Sequence, residues 1–412
     1  MNLNDVILKY TPKDLVRSLP AHIFLTDWIA RAVPTDETTV LFGAMNGDYY
    51  GDNSRHLFEW VLENRPDLNP VWLTRDQEVY DRLSNEGKPV ANIFSPTCIK
   101  LLYSSQVGVF TNSLYDIAPH PIVVPKSLNL IALRHGRSVK RIRFARKNHD
   151  LPDWERKQRL KESSLIKYAI STSDFISDIQ EECLQIGREK HIVTGYPRNS
   201  DLIDPPETAQ KDWNSFTREL DPNHTVLYAP TWRHGREPTQ FFPFEDFDTE
   251  TLVSMLEKHE VLLLLRPHVK DYEKFESIRN ELTELSEHSS YIRQATHNEF
   301  ADVNSILPFV DILISDYSAI FHDFLLLDRP ILFIPYDFEE FKRENGFLYD
   351  YFENLPGPVI DSFGGFQNYL LTVLQGRDPH QQQREKLRQK VHEFNDGKAN
   401  DRVIKLVDKS QK

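Results

Sequence analysis

Cysteine is scarce in this chain, with only Cys98 and Cys183 among 412 residues. Two so far apart exclude a disulfide framework or a zinc knuckle and read as ordinary buried or half-buried thiols. No uninterrupted apolar stretch reaches the ~20 residues that cross a bilayer. The N-terminus also lacks the basic, apolar, small-residue order of a secretory signal, so the expected compartment is the cytoplasm. Positive charge is not in excess either: 49 Lys and Arg stand against 62 Asp and Glu, a formal net charge of −13. That excludes nonspecific nucleic-acid binding through the whole surface while leaving room for a local basic site. Neither an internal repeat nor a low-complexity tract is present.

What is present is the composition of a soluble globular enzyme, 40% hydrophobic and 27% charged, in a chain long enough for about two domains. Strand-like apolar runs alternate with helical patterns throughout, the alternation of doubly wound sheets. Strands are expected at 38–43, 70–74, 90–94, 106–111, 129–133, 167–171 and 191–194, and again at 225–228, 261–265, 291–293, 312–314 and 331–334. Helices are expected over 54–64, 79–86 and 97–104, and in the second half from near Thr249, Tyr272, Phe300 and Ser318. The polar stretch from Asp204 to Pro222, with Pro205-Pro206, marks a boundary. The domains are then 1–203, 204–380 and a closing pair of amphipathic helices over 381–412 that pack back on the rest.

Polar groups fall where these strands end, which is where open α/β sheets place ligands. Thr231-Trp232-Arg233, Arg266-Pro267-His268 and Ser315-Asp316-Tyr317-Ser318 each follow a strand of the second half. The last of these joins a buried strand to a helix, and the free N–H groups at a helix start suit a phosphate. Ser315 or Ser318 as a plain helix cap and Asp316 as a solvated turn residue is the competing reading. Arg233, Arg266 and His268 add cationic donors, enough to hold a diphosphate without a metal. In the first half His135 stands at a strand exit beside Gly136, suited to a general base toward an acceptor hydroxyl. The run Arg134, Arg137, Lys140, Arg141, Arg143, Arg146 and Lys147 has no acidic residue before Asp150. It is either a solvated helix face or the seat of a phosphate-bearing acceptor or an anionic membrane surface.

The blocks LFGAMNGDYYGDNSRHLFEWVLEN at 41–64, LRHG at 133–136, VTGYPRNSDLI at 193–203, VLYAPTWR at 226–233, LRPHV at 265–269, SDYSAIFHDF at 315–324 and FNDGKANDRVI at 394–404 span nearly the whole chain. In this order and spacing the sequence resembles the CDP-glycerol glycerophosphotransferases, the teichoic acid primase and polymerase family. The resemblance implies a GT-B-like pair of Rossmann-like doubly wound domains facing across a cleft. It implies transfer of an alditol phosphate, glycerol phosphate first, from a CDP-alditol to a hydroxyl of a glycan, lipid-linked or polymer acceptor, with release of CMP. The CDP-alditol is a substrate, and neither a cofactor nor a metal is expected. Peripheral attachment to the inner face of the membrane is also implied.

Carried over residue by residue, His135 resembles the base of the first domain, and Arg266, His268, Ser315, Asp316 and Ser318 resemble the donor pyrophosphate site. Together with the strand exits and the basic run read from the residues themselves, His135 and His268 are the expected catalytic pair. Thr231, Arg233, Arg266, Ser315, Asp316, Tyr317 and Ser318 are the donor pyrophosphate set, and Arg134, Arg137, Lys140 and Arg141 face the acceptor. The sequence departs from the family where His135-Gly136 continues as Arg137-Ser138-Val139-Lys140 in place of a Thr-Pro pair, which leaves the acceptor and the alditol open. A GT-B glycosyltransferase using a nucleotide sugar would share this architecture, as would a noncatalytic nucleotide-binding protein of a surface-polymer assembly.

Overall fold

The structure is a computed structural model that describes residues 32–136, 138–146, 152–217, 220–233 and 237–411. Arg137 and Lys147 of the basic run, and residues 1–31, lie outside the described residues. The chain divides into two units. The first takes in the described residues up to Gly136, those from 152 to 198 and those from 398 to 411; the second takes in 138–146 and 199–397.

The first unit is built on seven strands: β1 (Asp36–Phe42), β2 (Asn69–Thr74), β3 (Val90–Asn92), β4 (Ser105–Phe110), β5 (Asn129–Ala132), β6 (Ile166–Ser171) and β7 (His191–Val193). They lie in the order β3-β2-β1-β4-β5-β6-β7, and every pair is parallel. The second unit holds β8 (His224–Tyr228), β9 (Val261–Leu265), β10 (Ile292–Gln294), β11 (Ile312–Ser315) and β12 (Ile331–Phe333), ordered β10-β9-β8-β11-β12 and again parallel. Parallel strands carry helices on both faces and so read as unbroken apolar runs. Val261-Leu262-Leu263-Leu264-Leu265 in β9 is buried from end to end, each side chain contributing roughly 1.5–3 kcal/mol of transfer free energy.

The partition expected at 203/204, with a separate closing segment over 381–412, is drawn differently by the fold. Helix Gln381–Val391 belongs to the second unit, where buried Arg384 pairs with Asp328 and Asp378. Helix Ala399–Ser410 returns to the first, burying Val403, Ile404, Leu406 and Val407 against Val107 and Ile131. The carbonyl of Ser410 accepts from the Asn129 side chain at 2.7 Å. Residues 138–146 also leave the first unit, because the Arg141 N–H donates to the carbonyl of Gly346 (3.2 Å) and that of Leu348 to the carbonyl of Val139 (3.0 Å).

Two expected helices shrink. Near Phe300 the chain makes only 3-10 turns at Val303–Ser305 and Leu307–Phe309, the first capped by Asp302 and the second containing Pro308, which has no N–H to extend a helix. After Ser318 the α-helix covers Ile320–Phe324 and tightens to a 3-10 turn over Leu325–Leu327, ended by Asp328 at φ +47°. The helix expected from Tyr272 is two, Val269–Lys274 and Glu276–Glu287.

Candidate active site

Each sheet reverses its strand order once, between β1 and β4 in the first unit and between β8 and β11 in the second. Ligands of open parallel sheets lie at such reversals, outside the carboxyl ends of the strands. The candidate residues fall at or beside both.

In the first unit β5 ends at Ala132 and the chain turns sharply, with Arg134 at φ +61° and Gly136 at φ +120°. Glycine is required at 136 on a second count: a Cβ there would stand 2.7 Å from Nη2 of Arg198. The turn leaves the His135 side chain 61% exposed. Its Nδ1 meets Oδ2 of Asp52, a carboxylate otherwise shut away from water, whose Oδ1 accepts from Nη1 of Arg198 at 3.0 Å. Asp52 opens helix Asp52–Asn64 at φ +60°, a backbone conformation that costs a non-glycine residue free energy and is held by its surroundings. The buried Asn53 supplies that hold. Its side-chain amide donates to the carbonyl of Arg134 (2.8 Å) and its Oδ1 accepts the N–H of Arg198 (3.1 Å), while Arg198 Nη1 also donates to the carbonyl of His135 (3.1 Å).

The electrostatics follow from this packing. Burial alone would push the Asp52 carboxyl up, but His135 and Arg198 hold it below the usual carboxylate range. Asp52 in turn lifts the His135 imidazole above its ordinary value, against partial desolvation by its neighbours and the nearby Arg198 and Arg134 cations. With Nδ1–H turned to the carboxylate, the neutral ring presents its lone pair at Nε2, which has no hydrogen-bond partner among the described residues. An oriented imidazole with a raised pKa and an open Nε2 is equipped to take a proton. Arg134, expected on the acceptor side, is buried instead, and its Nε meets no hydrogen-bond acceptor. Burial depresses its pKa.

In the second unit the exits of β8 and β11 are laced together. Asp316 accepts the N–H of Thr231 at 2.8 Å and Nη1 of Arg233 at 2.6 Å. Ser315 Oγ donates to the carbonyl of Ala229 at 3.0 Å. Arg233 is buried, and its Nε and Nη2 form a fork on Asp337 at 2.7 and 2.9 Å, with a further bond from Nη1 to the carbonyl of Thr231 at 2.5 Å. Tyr317 is also buried, donates to Asp337 (3.1 Å) and stacks on Phe341. Thus Arg233, Asp316, Ser315 and Tyr317 are framework rather than open donors. Arg266 is likewise engaged, its guanidinium donating to the carbonyls of Ala295 (2.8 Å), Thr296 (3.3 Å) and Phe300 (2.9 Å).

What this framework presents is backbone. The N–H groups of Tyr317, Ser318 and Ala319 meet no acceptor among the described residues, a run of amides able to cradle phosphate oxygens. Thr231 Oγ1 is buried without a hydrogen bond, and Ser318 Oγ lies 3.5 Å from the N–H of Ile320. His268 caps helix Val269–Lys274, its Nδ1 accepting the Lys270 N–H at 3.2 Å, so the neutral ring carries its proton on Nε2. Its ring stacks on Trp232 at 5.3 Å between centroids. No group of three or more His, Cys, Asp or Glu able to hold a metal ion occurs among the described residues.

Lys140 and Arg141, expected with the acceptor, sit in the second unit. Arg141 is tied to the carbonyls of Phe347 (3.1 Å) and Ala145 (3.2 Å). Asp52, Arg198 and Asp337 contact the candidate residues directly, and the sequence reading passed over them. The one signal available for Asp52 was its place at the start of the helix following β1, again a strand exit.

A sequence profile described as CDP-Glycerol:Poly(glycerophosphate) glycerophosphotransferase matches residues 25–409. A teichoic acid glycerol-phosphate transferase of Staphylococcus aureus is 23% identical over 406 residues, 96% of this chain and 99% of that protein. A teichoic acid poly(glycerol phosphate) polymerase of Bacillus spizizenii is 29% identical over 377 residues, 87% of this chain and 88% of that one. The fold is that of the wall teichoic acid polymerase TagF, with a TM-score of 0.74 at 20% identity over 100% of this chain and 98% of the other.

Proposed function

The chain belongs to the CDP-glycerol:poly(glycerophosphate) glycerophosphotransferase family, and from that premise we propose how it moves glycerol phosphate from CDP-glycerol to a hydroxyl of a polymer acceptor. The observation that carries the reading is the His135–Asp52–Arg198 constellation beside the end of β5. An acceptor hydroxyl gives its proton to Nε2 of His135 as its oxygen attacks the phosphorus that bears glycerol. The new P–O bond forms as the bond to the bridging oxygen of the diphosphate breaks, and CMP leaves. Asp52 holds the ring in the tautomer the step needs and stabilises the imidazolium that results. Such transfer is mostly positioning and charge stabilisation. The amides of Tyr317, Ser318 and Ala319, with Ser318 Oγ, Thr231 Oγ1 and Nε2–H of His268, are suited to hold the phosphates and meet charge on the departing CMP. In this reading no cofactor takes part, and Asp316 orders the turn rather than binding Mg²⁺. Mass spectrometry of products from CDP-glycerol, CDP-ribitol and a UDP-sugar with a glycerophosphate oligomer is the test. The expected product is the oligomer heavier by one or more glycerol phosphates, with CMP released. Sugar added without phosphate would refute it.

The acceptor side extends to a lipid-linked polymer held at an anionic membrane surface on the cytoplasmic face. No described helix is long and apolar enough to cross a membrane. The support is helix Asp153–Leu165, which exposes Trp154 (44% exposed) and Leu160 (38%) beside exposed Arg156, Lys157 and Lys161, apolar and cationic side chains of the kind that meet anionic lipid. The protein is expected to sediment with vesicles containing anionic lipid, and replacing Trp154 and Leu160 by serine should release it. Equal sedimentation of both proteins would remove this helix from the account.

A further inference from the structure

The donor side of the second unit has a charge problem. A diphosphate brings at least two negative charges, yet the guanidinium of Arg233 is enclosed between Asp316 and Asp337, and that of Arg266 faces three backbone carbonyls. Counted formally, Arg233 and Arg266 against Asp316 and Asp337 sum to zero, so the framework by itself offers the diphosphate no net counter-charge. The amide cradle adds partial positive charge but no full cation.

A cation is brought there by a segment that the sequence alone assigns elsewhere. After Gly136 the chain joins the second unit, and Lys140 forms an antiparallel bridge with Phe347. Paired residues in such a bridge project to the same side. Phe347 stacks on Tyr351 (5.1 Å) and Phe338 (5.5 Å) and packs beside Tyr317 (5.8 Å), whose ring in turn lies under the Arg233 guanidinium at 5.2 Å. The Lys140 ammonium accordingly interacts electrostatically with Asp316 and Arg233, and with Arg146 of its own segment. Its backbone is pinned on both flanks, by the Arg141 N–H on Gly346 and by the carbonyl of Val139 under Leu348.

Resting on the CDP-glycerol reading above, we propose that Lys140 is a donor ligand that sets its ammonium against the diphosphate of CDP-glycerol, rather than a contact for the acceptor. It supplies the net positive charge that the Arg233, Arg266, Asp316 and Asp337 framework lacks, and as a point charge on a flexible stem it can follow the phosphate as the bond breaks. Burial and the neighbouring Arg146 and Arg233 push this lysine down to about 8, with Asp316 opposing them. The cation is therefore present at neutral pH and is lost as pH rises through that value, and with it part of the donor affinity.

The experiment is calorimetric titration of the whole protein, and of Lys140→Gln and Lys140→Arg, with CDP-glycerol and with cytidine. Loss of one charge-assisted contact predicts about a ten- to hundredfold weaker Kd for CDP-glycerol in Lys140→Gln, an unchanged response to cytidine, and substantial recovery in Lys140→Arg. Wild-type affinity for CDP-glycerol should fall between pH 7 and 9, whereas Lys140→Gln should show no such fall. Equal CDP-glycerol affinity in wild type and Lys140→Gln would overturn the proposal. So would an equal loss for cytidine, which would mean a disturbed fold. If the wild-type protein fails to bind CDP-glycerol at all, it is the family-based reading of the donor that falls.

Discussion

Replacing His135 by alanine is expected to cut turnover by about 10²- to 10⁴-fold, the usual range for removal of a general base, while CDP-glycerol binds within about twofold of wild type. The second half of that expectation follows from placement: the imidazole stands in the first unit, and the amides proposed to cradle the phosphates stand in the second. The pH profile carries the sharper test. As a base His135 must be neutral, and Asp52 holds its pKa above the ordinary value. Activity therefore fails on the acid side, and the limb of kcat/KM should lie above the unperturbed histidine value of about 6.5. Asp52→Asn removes the charge that raises the imidazole, so the limb should move to lower pH even as kcat falls from loss of the tautomer and orientation control. A merely structural Asp52 would lower activity without moving the limb. An unchanged turnover in His135→Ala would take His135 out of the mechanism.

How far the sequence could be read depended on the range over which each feature is determined. The twelve strands were legible because parallel strands buried on both faces leave unbroken apolar runs, as in Val261 to Leu265 and Ile312 to Ile314. The helix expected near Phe300 failed because a local apolar pattern says nothing of Pro308 and the Asp302 cap, which favour tight turns. Candidate positions at strand exits were legible because such exits are a topological property, visible once the alternation is seen. Partners were not visible. Asp52 is 83 residues from His135, and Asp337 is 104 from Arg233, so no spacing rule connects them. Arg233 and Arg266 read as open cations because their acceptors are distant carboxylates and carbonyls. Lys140 read as an acceptor contact because its pairing with Phe347 is equally nonlocal.

Arg233→Ala separates these two roles and should have the largest effect on stability in the second unit. The guanidinium is buried, donates to two carboxylates and also to the carbonyl of Thr231. Deleting it leaves Asp316 and Asp337 close together with their charge uncompensated, and breaking a buried pair in this way costs about 3–5 kcal/mol. Because Asp316 also accepts the Thr231 N–H and Asp337 the Tyr317 hydroxyl, the loss should spread along the exits of β8 and β11. Hydrogen exchange should therefore accelerate by about 10²- to 10³-fold in peptides covering 226–233 and 312–318, with helix Asp52–Asn64 in the first unit unaffected. Arg233→Lys should recover only part of this protection, since an ammonium cannot reproduce the planar fork on Asp337. A direct diphosphate ligand would behave in the opposite way: Arg233→Ala would weaken CDP-glycerol binding with exchange unchanged, and that outcome would return Arg233 to the donor site. The double variant Arg233→Met with Asp337→Asn provides the control. Removing one stranded charge along with the cation should restore a large share of the lost protection, which simple loss of packing volume around Arg233 would not do.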